Sequence, residues 1–189
     1  MNRTTLNAVG VGLASGLLFA GIVAFAGTDA GASADLNMNA PAFSATGTDG
    51  KTYTLQSFLE KGPVVLYFIK EGCPVNHRAA PYVTKLTGAY GEKANVVGIY
   101  NGDVSSARAW AKEYKAEYTI LADPQYKVIR SYKAHYSPWL VAVGKDSKIT
   151  NVFEGASPAS LAKVNSLVAS AAGMKLASID FSGAPSGGG

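Results

Sequence analysis

The chain has a single cysteine, Cys73, so any thiol chemistry it performs starts there. The cysteine stands in Lys70-Glu71-Gly72-Cys73-Pro74-Val75-Asn76-His77, just after an apolar run and just before a segment of helical pattern. The thiolate is the reactive form of cysteine. A helix N-terminus favours it through partial positive charge and free N–H groups. Lys70 would add to that effect and Glu71 would oppose it. His77 follows four residues on, about 40° further round a helix. Cys73 and His77 are therefore expected to share a face away from the apolar stripe Val75, Ala79, Val83, Leu86 and Tyr90. There His77 could stabilise a thiolate, move a proton, join Cys73 on a metal, or simply be solvated. Pro74 suits a first helical turn. Pro81 lies inside the helix, where it removes a hydrogen bond and bends the axis. Asn76 occupies the place of the second cysteine in a Cys-x-x-Cys motif.

The elements that must hold these residues alternate in type. Residues 43–55 read as a hairpin about Thr48-Asp49-Gly50-Lys51, with a short helix at 55–60. Residues 63–69, PVVLYFI, form an unbroken apolar run of strand length, as expected of a central strand covered on both faces. A helix over 73–90 follows, ended by Gly91. Then come a strand at 95–101, a helix at 104–116, a strand at 118–122 closed by Asp123-Pro124, and a short helix at 125–133. The helix at 104–116 carries Ala107, Trp110, Ala111 and Tyr114 on one side. A hairpin of 139–144 and 149–154 precedes a last helix at 158–172, with Leu161, Val164, Leu167 and Val168 as its stripe. The order implies an α/β fold: a mixed sheet with helices on both faces and an N-terminal hairpin.

Composition bounds the rest. Hydrophobic residues make up 48% of 189 and charged residues 16%, enough for one core plus an apolar extension. Residues 1–34 supply that extension. Arg3 precedes the run Leu6–Ala26, and small-x-small sites follow at Ala24-Phe25-Ala26 and Ala32-Ser33-Ala34, as in a signal peptide. The run is also near bilayer-spanning length, so a membrane tether through residues 6–26 is the alternative to cleavage. Either outcome exports the domain to the periplasm or another extracytoplasmic space. Domain limits are expected at 1–34 for the signal or anchor, 35–174 for the domain, and 175–189 for a flexible tail. Residues 27–41 read as a linker. The net charge of +4 comes from scattered residues, with no basic stripe, so nucleic acid is not an expected partner. Exported proteins usually pair their cysteines. A lone one is inert and buried, half of an intermolecular bond, or reactive.

The order of these features resembles the thioredoxin-like superfamily, and within it the redoxin, or alkyl hydroperoxide reductase/thiol-specific antioxidant, branch. The resemblance spans about residues 40–172. It rests on PVVLYFI running into Cys73-Pro74, on Pro81, on YTILADPQYKVIRSYKA at 118–134, and on Ser137-Pro138 before WLVAV. It implies a thioredoxin-like fold, a cis Pro138 beside Cys73, and Cys73, His77 and Pro138 as catalytic residues with no cofactor. Peroxiredoxins carry Pro-x-x-x-Thr/Ser-x-x-Cys, where this chain has Leu66 and Lys70, and they use an arginine before the late strand, where this chain reads Tyr136-Ser137-Pro138-Trp139. Three functions follow from the resemblance. One is a thiol-dependent peroxidase, an antioxidant that reduces a small peroxide and draws on an external thiol reductant. Another is disulfide exchange with a disulfide-bearing client. The third is a copper-binding assembly chaperone using Cys73, His77 and His135.

Overall fold

The computed structural model describes residues 35–186. The expected signal peptide or anchor, including the run at 6–26, lies outside the described residues. Seven strands form one mixed sheet: β1 (Ser44–Gly47), β2 (Thr52–Thr54), β3 (Val64–Ile69), β4 (Val96–Tyr100), β5 (Thr119–Ala122), β6 (Trp139–Val143) and β7 (Ile149–Glu154). Their spatial order is β2-β1-β5-β4-β3-β6-β7. β3 pairs parallel with β4, and β4 with β5; every other pairing is antiparallel. All six residues of β3 are buried, because the strand is central and has helices on each face.

Alternation along β3 divides the core. Val65, Tyr67 and Ile69 face α2 (Pro74–Tyr90), α3 (Val104–Glu113) and α5 (Pro158–Ala172). Val64, Leu66 and Phe68 face α1 (Leu55–Leu59) and α4 (Lys127–Ser131). Period-two side-chain direction in a strand makes this division automatic. The helix expected at 104–116 ends at Glu113, because Lys115 takes a left-handed backbone and the Ala116 N–H caps the Ala111 carbonyl at 2.9 Å. Among the described residues no helix is long and apolar enough to cross a membrane.

Two segments expected to be loose are tied to the fold. The linker was expected to run to residue 41, but Asn37 N–H donates to the Ile149 carbonyl at 2.8 Å and Ala40 N–H to the Ser147 carbonyl at 2.7 Å. The tail after α5 has no regular structure, yet Phe181 is buried and its ring centroid lies 6.4 Å from that of Tyr82 on α2. Tyr90 OH donates to Asn165 Oδ1 at 2.5 Å, Asn165 Nδ2 donates to the Ala177 carbonyl at 2.9 Å, and the Ala177 N–H donates back to Tyr90 OH at 3.0 Å. Gly and Ser in this stretch suggested freedom. Phe181 and a buried polar clamp override it.

Candidate functional site

The site forms where β3 ends and α2 begins. Three residues make the turn, and side chains from elsewhere hold its backbone. The Lys70 N–H donates to Ser137 Oγ at 3.1 Å, and the Glu71 N–H donates to Asn101 Oδ1 at 2.7 Å. Gly72 has φ of 69°, a left-handed conformation that glycine adopts without steric cost. Cys73 is the N-cap of α2, in an extended conformation, and its carbonyl accepts from the His77 N–H at 3.2 Å. Pro74 occupies the first helical position and Pro81 lies on the exposed side of the helix.

Cys73 itself is buried, only 7% exposed, which corrects the expectation of a thiol off the core face. The physical reason is its place before the helix rather than on it, beneath the loop that precedes β6. That loop carries a cis Ser137–Pro138 bond, as the resemblance implied. Cys73 Sγ donates to the Ser137 carbonyl at 3.6 Å. Trp139, next in the chain, is also buried, and its ring stacks on exposed Tyr136 with centroids 6.3 Å apart.

A polar network lies under the thiol. Asn76 is fully buried and takes the place in the α2 stripe expected of Val75. Its Oδ1 accepts from Tyr67 OH at 3.0 Å; its Nδ2 donates to Ser137 Oγ and, at 3.5 Å, to the Lys70 carbonyl. Ser137 Oγ donates in turn to the Phe68 carbonyl at 3.5 Å. Burial holds the Tyr67 hydroxyl well above the ordinary tyrosine range, with lesser additions from Tyr118 and Cys73. Tyr67 and Ser137 were not among the sequence candidates. The signal that could have found them is an asparagine three and four residues before Ala79 and Ala80, in register with the apolar stripe.

His77 turns toward α3 rather than toward the sulfur. Its ring lies 5.1 Å from Trp110 and 5.7 Å from Tyr114, its Nδ1 shares a hydrogen bond with Tyr114 OH, and Glu113 Oε1 is 3.8 Å away. Burial, followed by the Glu113 hydrogen bond and charge, pushes the Tyr114 hydroxyl up to about 12. Among the described residues no hydrogen bond joins His77 to Cys73 Sγ. His135 sits in the loop before β6. It lines a cavity of about 190 Å³ with Phe68, Lys70, Tyr126, Tyr136 and Ser137. Cys73, His77 and His135 therefore do not converge, and among the described residues no three His, Cys, Asp or Glu side chains do. The copper reading needed such a cluster.

Two larger hollows, of about 450 Å³ and about 700 Å³, are lined by Asn95 with Val64 or Val96, at the start of the parallel strands. Neither includes Cys73. In open α/β sheets ligands gather at the carboxyl ends of the strands; the small cavity lies there, with Ser137 but not Cys73 in its wall.

Comparison with known proteins places the chain in one family and supports a thiol-based redox function. The model of the AhpC/TSA family matches residues 36–152. A chloroplastic peroxiredoxin Q of Populus jackii is 35% identical over 100 residues, covering 49% of this chain and 44% of that one. The chain thus spans less than half the length of the peroxiredoxin Q relatives it matches. The thiol-disulfide oxidoreductase ResA of Bacillus thuringiensis subsp. konkukian is 25% identical over 123 residues, covering 64% and 70%. Peroxidoxin BcpB of Mycobacterium tuberculosis superposes with a TM-score of 0.60 at 18% identity, covering 74% of this chain and 97% of that one, and so shares the fold.

Proposed function

Because this chain belongs to the AhpC/TSA family, we propose that it is a thiol-dependent peroxidase whose working residue is Cys73. The observation that carries this reading is the seat of Cys73: a helix N-cap whose Sγ meets the Ser137 carbonyl, with Asn76 where an internal resolving thiol would stand. The Cys73 thiolate attacks one oxygen of a peroxide. An S–O bond forms, the O–O bond breaks, and the departing oxygen takes a proton and leaves as water or an alcohol. Cys73 is oxidised to the sulfenic acid and the peroxide is reduced. An external thiol then condenses with the sulfenic acid and releases water, and a second thiol displaces Cys73 from that mixed disulfide. Pro138 lines the seat. His77, engaged with Tyr114, shapes the α3 side of it.

A second reading is disulfide exchange, in which Cys73 attacks the disulfide of a client protein. Likeness to ResA supports it, as does the exposed Tyr136 beside the cis-proline loop. In both readings the run at residues 6–26 directs export and is either cleaved or kept as a tether, and fractionation of the expressed chain decides between these.

The test is the rate at which hydrogen peroxide oxidises Cys73, followed by intact mass, beside a small free thiol. The expected result is gain of one oxygen, faster than the free thiol by about a hundredfold or more, and its loss in Cys73→Ser. A rate equal to that of the free thiol overturns the peroxidase reading, and trapping of mixed disulfides then tests exchange.

A further inference from the structure

We propose that Asn76 is a positioning residue for the Cys73 thiol and acts through Ser137. The proposal rests on the reading of Cys73 as the working group and extends the site by one residue. A buried amide is costly unless its donors and acceptor are paired. Asn76 meets that demand with groups from three separate parts of the chain: Tyr67 on β3, Lys70 in the turn, and Ser137 in a loop 61 residues away. Ser137 is thereby held at its side chain, while its carbonyl is the atom that receives the Cys73 Sγ–H. Side chain and carbonyl belong to one residue, so a shift of the first moves the second. Where related motifs carry a second thiol, this chain carries an amide that holds the lid over the first.

The alternative is that Asn76 only contributes to the core. Asn165 supplies the control, because it is equally well buried and paired with a tyrosine hydroxyl and a backbone carbonyl, yet it ties down the tail. The experiment measures alkylation of Cys73 by iodoacetamide in the folded protein at neutral pH. Asn76→Ala and Ser137→Ala are each expected to raise the rate about fivefold, the equivalent of one hydrogen bond, by loosening the loop that covers the sulfur. The double variant is expected to do no more than the larger single, as for two groups in one contact. Ser137→Thr, which keeps the hydroxyl, and Asn165→Ala are expected to stay within about twofold of wild type, a coupling below a hydrogen bond's worth.

A folded Asn76→Ala with the wild-type rate overturns the proposal. So do effects of the two variants that multiply, or a Ser137→Thr that behaves as Ser137→Ala. If Asn76→Ala does not fold, the cycle of Tyr67→Phe with Ser137→Ala is read by the same criteria. Alkylation needs no peroxide, so the two readings fail separately. A peroxide-inert thiol that still responds to Asn76 ends only the peroxidase reading.

Discussion

Asn76 and Asn165 sit at opposite ends of one helical layer and solve the same physical problem. Each is buried, each receives a tyrosine hydroxyl at Oδ1, and each gives its Nδ2 to a distant segment. The segment held by Asn165 is the tail around Ala177, which carries no reactive group. The segment held by Asn76 ends in the carbonyl against which Cys73 rests. A similar buried amide thus ties down the tail in one place and, on the proposal above, positions the thiol in the other. The difference lies wholly in what the held segment touches.

The comparison can be broken from the tail end first, where the expected loss is largest. Phe181→Ala empties a buried site beside Tyr82 and should lower stability by about 3 kcal/mol, read from the denaturant midpoint. Residues 174–186 should then become the first point of limited proteolysis, and peroxide oxidation of Cys73 should be unchanged. Next in size, Asn165→Ala removes the Oδ1 acceptor of Tyr90 OH and the donor to the Ala177 carbonyl, leaving Tyr90 OH only the Ala177 N–H and a 3.5 Å contact to the residue 165 carbonyl. It should cost about 2 kcal/mol in the same measurement. If either change alters the chemistry of Cys73, the two ends are coupled and the division drawn above is wrong.

Much of this was legible from residues alone, for reasons that also explain what was not. The apolar run of β3 and the helix-opening Cys73-Pro74 depend on local pattern, while the cis Pro138 was implied by the family resemblance, and each stands where it was expected. Helical projection failed in the first turn of α2. It treated Cys73 as a helical residue when its backbone is extended, and so placed the thiol outside the core. The same projection put Val75 in the stripe where Asn76 lies. His77 was projected onto the face of Cys73, with roles toward the sulfur, a proton, a metal or solvent left open; Trp110 and Tyr114, brought in by the α3 crossover, pack against its ring. The tail was misread from its glycines and serines, because one phenylalanine outweighs them only when a cavity for it exists. Partners 61 residues apart, such as Asn76 and Ser137, leave no periodic trace.

The smallest expected effect is also the one that isolates the thiol-end clamp. Tyr67 donates to Asn76, and its burial holds the hydroxyl well above the ordinary value of 10.0. A group whose folded pKa is raised contributes stability that is fully present below its unfolded pKa and is lost as pH rises toward the folded one. The window therefore opens near 10. There the unfolded chain releases the Tyr67 proton while the folded chain keeps it. Tyr100, pushed up to about 12 by burial and then by the charge of Glu71, and Tyr114, also at about 12, steepen the same window. A fully buried tyrosine such as Tyr67 adds about 1.4 kcal/mol per pH unit to the loss, and the more exposed Tyr114 adds less. Tyr67→Phe removes one proton from that slope. It also leaves Asn76 Oδ1 without its donor, so the variant starts about 1 kcal/mol less stable at neutral pH. The wild-type and variant stability curves, measured by denaturant titration, should then converge as pH rises past 10. Parallel curves would mean that burial does not hold the Tyr67 proton in the folded chain above pH 10.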